Sequence, residues 1–419
     1  MSEASDQFRL TRLRVKNFRS IGDVDIEFGP LTVLIGPNGA GKSNVVDALR
    51  FVRDIVTKGL KQAIIDRGGF NQVVNWHNET INVEFYLSIK RFEFVYSMKI
   101  CDFDINKDFV IGEMFLIKED NNSLLSIYKK LNSVVFEVFE NIVQSQVEKI
   151  GLTNNDLFLP WNLYRLILNS VYFDSLRLKG DKNKFYFERK LIEVFTNEIR
   201  AMQDYIKEIQ MFTFNLLDLR HPQKLLKESP LLDTGQNLAA VLRKIRNSDE
   251  ETVREVQHVL GQLVEGVVDF SIISAGSYLV TQLHYQQPDG SIRISDLGQE
   301  SDGTIRMLAM LAAVYQQPPQ PLLVLEEPEA NIHPGALAIL AGIFDQASQR
   351  SQIILTTHSP DMLDQLPIES FRVVEKVEGE TKVGPVRDEQ KEAAQRRLFT
   401  PGELMRNEGL QRQPDEANA

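Results

Sequence analysis

The sequence predicts an α/β fold, a mixed sheet with flanking helices, interrupted by an inserted helical subdomain. Three observations lead there. The run "LTVLIG" (residues 31–36) is apolar throughout, as in a strand buried on both faces, and it leads through a glycine-rich turn into helically spaced apolar residues. Two later runs, "PLLVLEEPE" and "QIILTTHSP", end in charged or polar residues, as do parallel strands that carry a site at their C-terminal ends. Between these regions, about 101–230, the composition shifts toward Phe, Tyr, Asn, Lys and Leu and away from Gly and Ala.

The elements follow in order. "LRVKNF" and "DVDIEF" alternate apolar and polar residues, as half-buried strands do. After Lys42, Val45, Ala48, Leu49, Val52, Ile55 and Val56 recur at helical spacing. "INVEFYLSI" and "FEFVYSMKI" read as a strand hairpin. Within the insertion, "LLSIYKKLNSVVFEVFENIVQSQVEKI" and "ERKLIEVFTNEIRAMQDYIKEIQ" are expected to be helical, with no heptad long enough for an extended coiled coil. "PGALAILAGIFDQAS" is a helix with proline near its first turn. From about 376 the chain is charged, with a short helix in "TPGELMRNEG" and a disordered end. No internal repeat is evident.

Bulk properties narrow the function. The chain has 419 residues, 43% hydrophobic and 25% charged, ordinary for a globular protein. A formal net charge of -11 argues against a surface coated for nonspecific nucleic-acid binding but leaves room for a local basic groove. No run approaches the roughly 18 apolar residues of a membrane span. The N-terminus "MSEASDQ" is polar and acidic, unlike a signal peptide. The single cysteine, Cys101, excludes an intrachain disulfide and a CxxC metal hook. A cytoplasmic protein with no membrane partner is expected.

Gly36, Pro37, Asn38, Gly39, Ala40, Gly41, Lys42 and Ser43 fit G-x-x-x-x-G-K-[ST] in full, with Asn44 following. The glycines let successive N–H groups turn inward as an anion nest, and the next helix offers its positive end to the same phosphates. Lys42 is expected on the β- and γ-phosphates of ATP, and Ser43 on Mg²⁺. Leu322 to Leu325 then bring Glu326 and Glu327 to a strand end. Glu326 is assigned to the metal, through water, and Glu327 to the attacking water. His358, closing the next strand, is placed to hydrogen-bond the γ-phosphate and sense its departure.

These pieces, in this order, resemble the P-loop head of an ABC-type ATPase, and more closely the RecF and SMC-like branch within the AAA-class OLD/RecF-like group. The blocks "LRVKNFRSIGDVDIEFGPLTVLIGPNGAGKSN", "SDGTIRMLAML", "LLVLEEPEANIHP" and "ILTTHSPDMLDQL" carry the likeness, over roughly 8–95 and 231–375. It implies an N-terminal lobe with the Walker A turn (1–100), a helical insertion (101–230), a C-terminal lobe with signature, Walker B and histidine switch (231–375), and a charged tail (376–419). It makes Ser301, Asp302, Gly303 and Thr304 the signature, which contacts the γ-phosphate held by a second subunit. A head-to-head homodimer with two bridging ATP molecules, or a higher oligomer built from it, follows. Asn331 matches the loop that communicates across that interface. Arg19 matches a position near the nucleotide in relatives, or is a surface arginine. Gln72 is a candidate for the metal-side glutamine.

Some features depart from the family. The metal-side acid is Glu326 rather than Asp, and the signature is not LSGGQ. The insertion is too short for SMC-type arms. Only 61 residues follow His358, fewer than the nuclease domain fused to OLD-type relatives, so any nuclease is expected on a separate chain. Three outputs follow from the resemblance: an ATP-driven switch in DNA repair or genome maintenance, a regulatory ATPase for a nuclease or toxin in antiphage defence, or a nucleotide-gated scaffold with negligible hydrolysis. Residues 177–190, "RLKGDKNKFYFERK", would line a DNA groove under the first, or form a solvated charged loop.

Overall fold

The computed structural model describes residues 7–76, 78–89, 92–101, 111–119, 122–130, 133–138, 200–224 and 229–414. The strands begin with β1 (Arg9–Phe18), β2 (Ile21–Glu27), β3 (Leu31–Ile35), β4 (Thr80–Ile89), β5 (Phe92–Cys101), β6 (Ile111–Glu119), β7 (Asn122–Lys130) and β8 (Ser133–Val138). They continue with β9 (Gln210–Phe212), β10 (Gln223–Lys224), β11 (Val267–Ala275), β12 (Tyr278–Gln286), β13 (Ile292–Asp296), β14 (Leu322–Glu326), β15 (Gln352–Thr357), β16 (Phe371–Val377) and β17 (Glu380–Pro385). The chain divides into two compact units, one of residues 1–27 and 51–207, the other of 28–50 and 208–419.

In the first unit the strands run antiparallel in the order β8-β7-β6-β5-β4-β1-β2. Period-two burial explains β1 and β4: Leu13 and Val15 pair with Phe85 and Val83, and all four are buried. The expected helix over the first part of "LLSIYKKLNSVVFEVFENIVQSQVEKI" is corrected here, because residues 122–130 and 133–138 form β7 and β8. Lys130 pairs with Ser133 across a two-residue connection. "SVVFEV" is rich in β-branched and aromatic residues, which favour a pleated surface over a helix. The remainder of that segment lies outside the described residues, as does the basic stretch 177–190. Of the second expected helix, residues 200–210 are described: 200–207 are helical, and Gln210 instead opens β9.

The second unit holds a mixed sheet in the order β17-β16-β3-β15-β14-β9. Strands β16, β3, β15, β14 and β9 are parallel, and β17 returns antiparallel on β16. All five residues of β3 and all six of β15 are buried, which is why neither shows the alternation of a half-buried strand. The register sets Glu326 level with Thr356, and Thr357 with Ile35, so three strands end together at one sheet edge. One apolar core joins Val33, Leu325 and Leu355 to Leu308, Leu311 and Phe344 on the helices Asp302–Tyr315 and Leu337–Ala347. A second antiparallel sheet, β10-β12-β11 with β13 on β12, belongs to the same unit. Through residue 414 the charged tail is folded as well. It contributes β17, two short helices and a bridge from Val386 to Arg412.

Candidate functional site

The turn leaving β3 enters the helix α1 (Lys42–Lys58), whose first turn carries no acidic residue, so its positive end is uncompensated by its own side chains. Gly41 has φ 110°, and a Cβ there would lie 2.0 Å from Thr381 Oγ1 on β17. Only glycine meets both conditions. A Cβ on Gly36 would likewise stand 2.1 Å from the carbonyl oxygen of Val374 on β16. Thr381 is fully buried and its hydroxyl donates to the Ala40 carbonyl (3.0 Å). The β16–β17 hairpin therefore braces the turn from behind.

Lys42 is buried, and its Nζ donates to the carbonyls of Gly36 (2.7 Å) and Pro37 (3.2 Å). Burial pulls its pKa below the ordinary lysine value, opposed by the charges of Glu327 and Glu329. Lysine is thus held over the turn, ready to exchange two neutral acceptors for charged ones.

Glu326 closes β14 with Oε1 3.4 Å from Arg50 Nη2 of α1 and 3.5 Å from Thr213 Oγ1. Glu327 leaves the strand at φ 46°, a left-handed backbone uncommon for a non-glycine residue. Its N–H donates to the carbonyl (3.0 Å) and hydroxyl (3.1 Å) of Thr356, which hold that shape. Glu327 Oε1 lies 3.1 Å from His358 Nδ1. Glu329 accepts a hydrogen bond from Thr357 Oγ1, and its Oε2 is buried without a partner. Burial first, then the charge of Glu327, raises the Glu329 pKa above the ordinary glutamate value.

A cavity of about 510 Å³ brings the two sets together: Gly39, Gly41, Lys42 and Ser43 line it, and so do Glu326 and Glu327. Asn38 and Asn44 also line it. That volume lies within the range of about 300–1,000 Å³ usual for ligand sites. Arg306 lines it too, and its Nε is buried without a hydrogen-bond partner. The donor set fits a nucleotide triphosphate. Ser43 and Glu326, oxygen ligands that both line it, fit a magnesium ion.

Ser301 and Gly303 are not among the residues that line the cavity. Ser301 caps the helix Asp302–Tyr315, its hydroxyl accepting from Thr304 N (3.1 Å) and lying 2.9 Å from Thr304 Oγ1. A Cβ on Gly303 would stand 2.5 Å from the Asn331 carbonyl oxygen, so residues 301–304, the expected signature, and the loop after the acidic pair touch within one chain. Asn331 itself has φ 63°. Arg19 and Gln72 belong to the first unit, where Arg19 N–H donates to the Val73 carbonyl (2.7 Å) and Gln72 sits in the short helix Phe70–Val73. Sequence reasoning passed over Arg306, Glu329, Thr213 and Thr381. Two left a signal: Glu329 is the third acid of "EEPE", and Arg306 follows Asp302 by four residues on one helix.

The family described as "AAA domain, putative AbiEii toxin, Type IV TA system" matches residues 31–364, from the first residue of β3 through the segment after His358. The chain belongs to this AAA_21 family. The α/β P-loop head of the RecF, SMC and OLD group expected from the motifs is consistent with AAA_21 membership. Proteins similar to this AAA_21 chain include the OLD nuclease of Thermus scotoductus, 44% identical over 62 residues, covering 15% of this chain and 12% of that one. DNA repair protein RecN of Rickettsia felis is 25% identical over 278 residues, 64% of this chain and 45% of that one. Endonuclease GajA of Bacillus cereus is 22% identical over 389 residues, 85% of this chain and 57% of that one. This AAA_21 chain therefore spans between 12% and 57% of the length of these three relatives. Among the described residues, no helix is long and apolar enough to cross a membrane.

Proposed function

We propose that the chain binds and hydrolyses ATP, and that two copies close head to head around two ATP molecules to drive a conformational switch. The observation that carries the reading is the lysine-bearing turn and two adjacent carboxylates lining one cavity. Backbone N–H groups of the turn and the start of α1 receive the phosphates, and Lys42 exchanges the carbonyls of Gly36 and Pro37 for the β- and γ-phosphates. Magnesium, held by Ser43 and Glu326, would neutralise charge on those phosphates. Glu327 accepts a proton from the attacking water, and His358 holds its carboxylate in place. Ser301 and Gly303 of the second copy complete the γ-phosphate surroundings, so each head alone is incomplete. Release of phosphate then weakens the bridge, a switch driven by ligand-dependent interface stability.

For the output, we favour DNA repair or genome maintenance in the cytoplasm, supported by the similarity to RecN over 64% of the chain. A second reading, a regulatory ATPase for a nuclease or toxin partner in antiphage defence, is favoured by the similarity to GajA over 85% of the chain. Phosphate release by wild type and Glu327→Gln, with and without DNA across a salt series, separates them. Removing the base should slow turnover by about 100-fold or more. DNA stimulation that fades steeply with salt supports the first output, and no stimulation at any salt supports the second. Equal turnover in wild type and Glu327→Gln would reduce the chain to a nucleotide-gated scaffold.

A further inference from the structure

Arg220 ends the short helix Leu216–Arg220 and is bound to the segment that opens the helix Asp302–Tyr315. Its Nη1 donates to the carbonyls of Gly298 (3.0 Å) and Glu300 (2.9 Å), and its Nη2 to Asp302 Oδ1 (2.5 Å). One planar guanidinium thus fixes three acceptors spread over five consecutive residues. A lysine ammonium, a single point on a flexible stem, cannot match that fork. The segment is held from other sides as well. Tyr285 Oη donates to Glu300 Oε2 (2.6 Å), and Gly303 lies against the Asn331 carbonyl. Between these anchors stands Ser301, whose extended backbone (φ -66°, ψ 155°) and capping hydroxyl depend on where residues 298–302 are placed.

Arg220 does not line the cavity that holds Lys42 and Glu327, so it has no part in that chain's own phosphate contacts. The stretch leading to it does reach the cavity. Thr213, just after β9, is in the wall, 3.5 Å from Glu326. An arginine bound to backbone carbonyls beside a helix cap gives little stability where it is partly exposed, as this one is. What it does give is geometry.

We propose that Arg220 is a positioning residue that sets residues 301–304 in the shape offered to the nucleotide of a second copy, so that its effect on hydrolysis acts in trans. The proposal rests on the head-to-head reading above. It goes beyond that reading by naming, outside the motifs, the side chain on which the presented surface depends.

Mixed-subunit complementation with the full chain tests it. Arg220→Ala alone should bind a fluorescent ATP analogue within about twofold of wild type while hydrolysis falls about tenfold or more, a loss in kcat and not in binding. Mixed in equal amounts with Lys42→Ala, the Arg220→Ala subunit places its own ATP against an unaltered signature. Half of the dimers are then mixed, each with one intact site, and activity should return to about a quarter of wild type. A defect confined to the chain's own site, or simple misfolding, would give no recovery. Arg220→Lys should show the same recovery from a milder loss, and it carries the test if the alanine variant does not fold. The pair Ser301→Arg with Lys42→Ala is the control for the dimer itself. Recovery in the control but not with Arg220→Ala or Arg220→Lys overturns the role of Arg220 and leaves the dimer standing. Failure of both pairs overturns the dimer reading and this proposal with it. Wild-type hydrolysis by Arg220→Ala also overturns it.

Discussion

Glu329 illustrates how much a single carboxylate depends on its surroundings. One oxygen is held by Thr357 and the other is buried without a partner, beside Glu327. Burial raises its pKa above 4.5, against the opposing pull of Thr357 and His358. A raised folded-state value favours the protonated carboxyl. Its stabilisation is complete below the unfolded value and is lost as pH rises through the folded one. Glu329→Gln, neutral at every pH, should therefore melt above wild type near pH 8, and the gap should close toward about pH 4. Differential scanning fluorimetry across that range checks it. A gap independent of pH, or a variant that melts lower at pH 8, would contradict this account of the site. Residues such as Lys42, Glu326 and Glu327 were legible because their chemistry sits at fixed local spacing. Arg220 and Thr381 were not, because their partners lie 82 and 341 positions away and only the fold brings them together.

Among the elements, the hairpin β16–β17 matters most to the site beyond the motif strands. Its Thr381 hydroxyl is the buried donor to Ala40, and the absence of side chains at Gly36 and Gly41 lets the hairpin come close. Thr381→Val keeps the shape and removes the donor. It should cost about 1 kcal/mol of stability, the usual net value of one hydrogen bond. It should also raise KM for ATP several-fold while leaving kcat at saturation nearly unchanged, because the turn is loosened and the base is untouched. Steady-state kinetics checks this, and a fall in kcat with KM unchanged would assign the hairpin a different role. Strands β3, β14 and β15 were legible as apolar runs ended by polar residues, since burial on both faces leaves no alternation to misread. Strands β7 and β8 were not. Lysine and leucine in "LLSIYKKLNS" suit a helix locally, and antiparallel pairing with β6 overrides that preference. The tail beyond 376 was read by its charge, which says nothing of the alternate residues that β17 turns inward. Thr381 and Val383 are buried there, between the partly exposed Glu380 and Lys382.

For the whole molecule, the unit that carries the cavity also carries the proposed signature and the Arg220 fork, so one copy contains every part but presents them at separate places. Two copies related by a twofold axis would bring each cavity to the other's signature, an isologous arrangement that closes at two. This assembly is an implication of the family resemblance and belongs to the proposal, whereas no local pattern could place residues 298–304, which are set by long-range contacts. The most direct test is light scattering of Glu327→Gln with and without ATP and magnesium, since this variant should bind nucleotide without turning it over. A mass that doubles on adding nucleotide, and returns when Lys42→Ala is added to the same chain, is the expected result. A monomer under both conditions, with ATP bound, would contradict the two-head account.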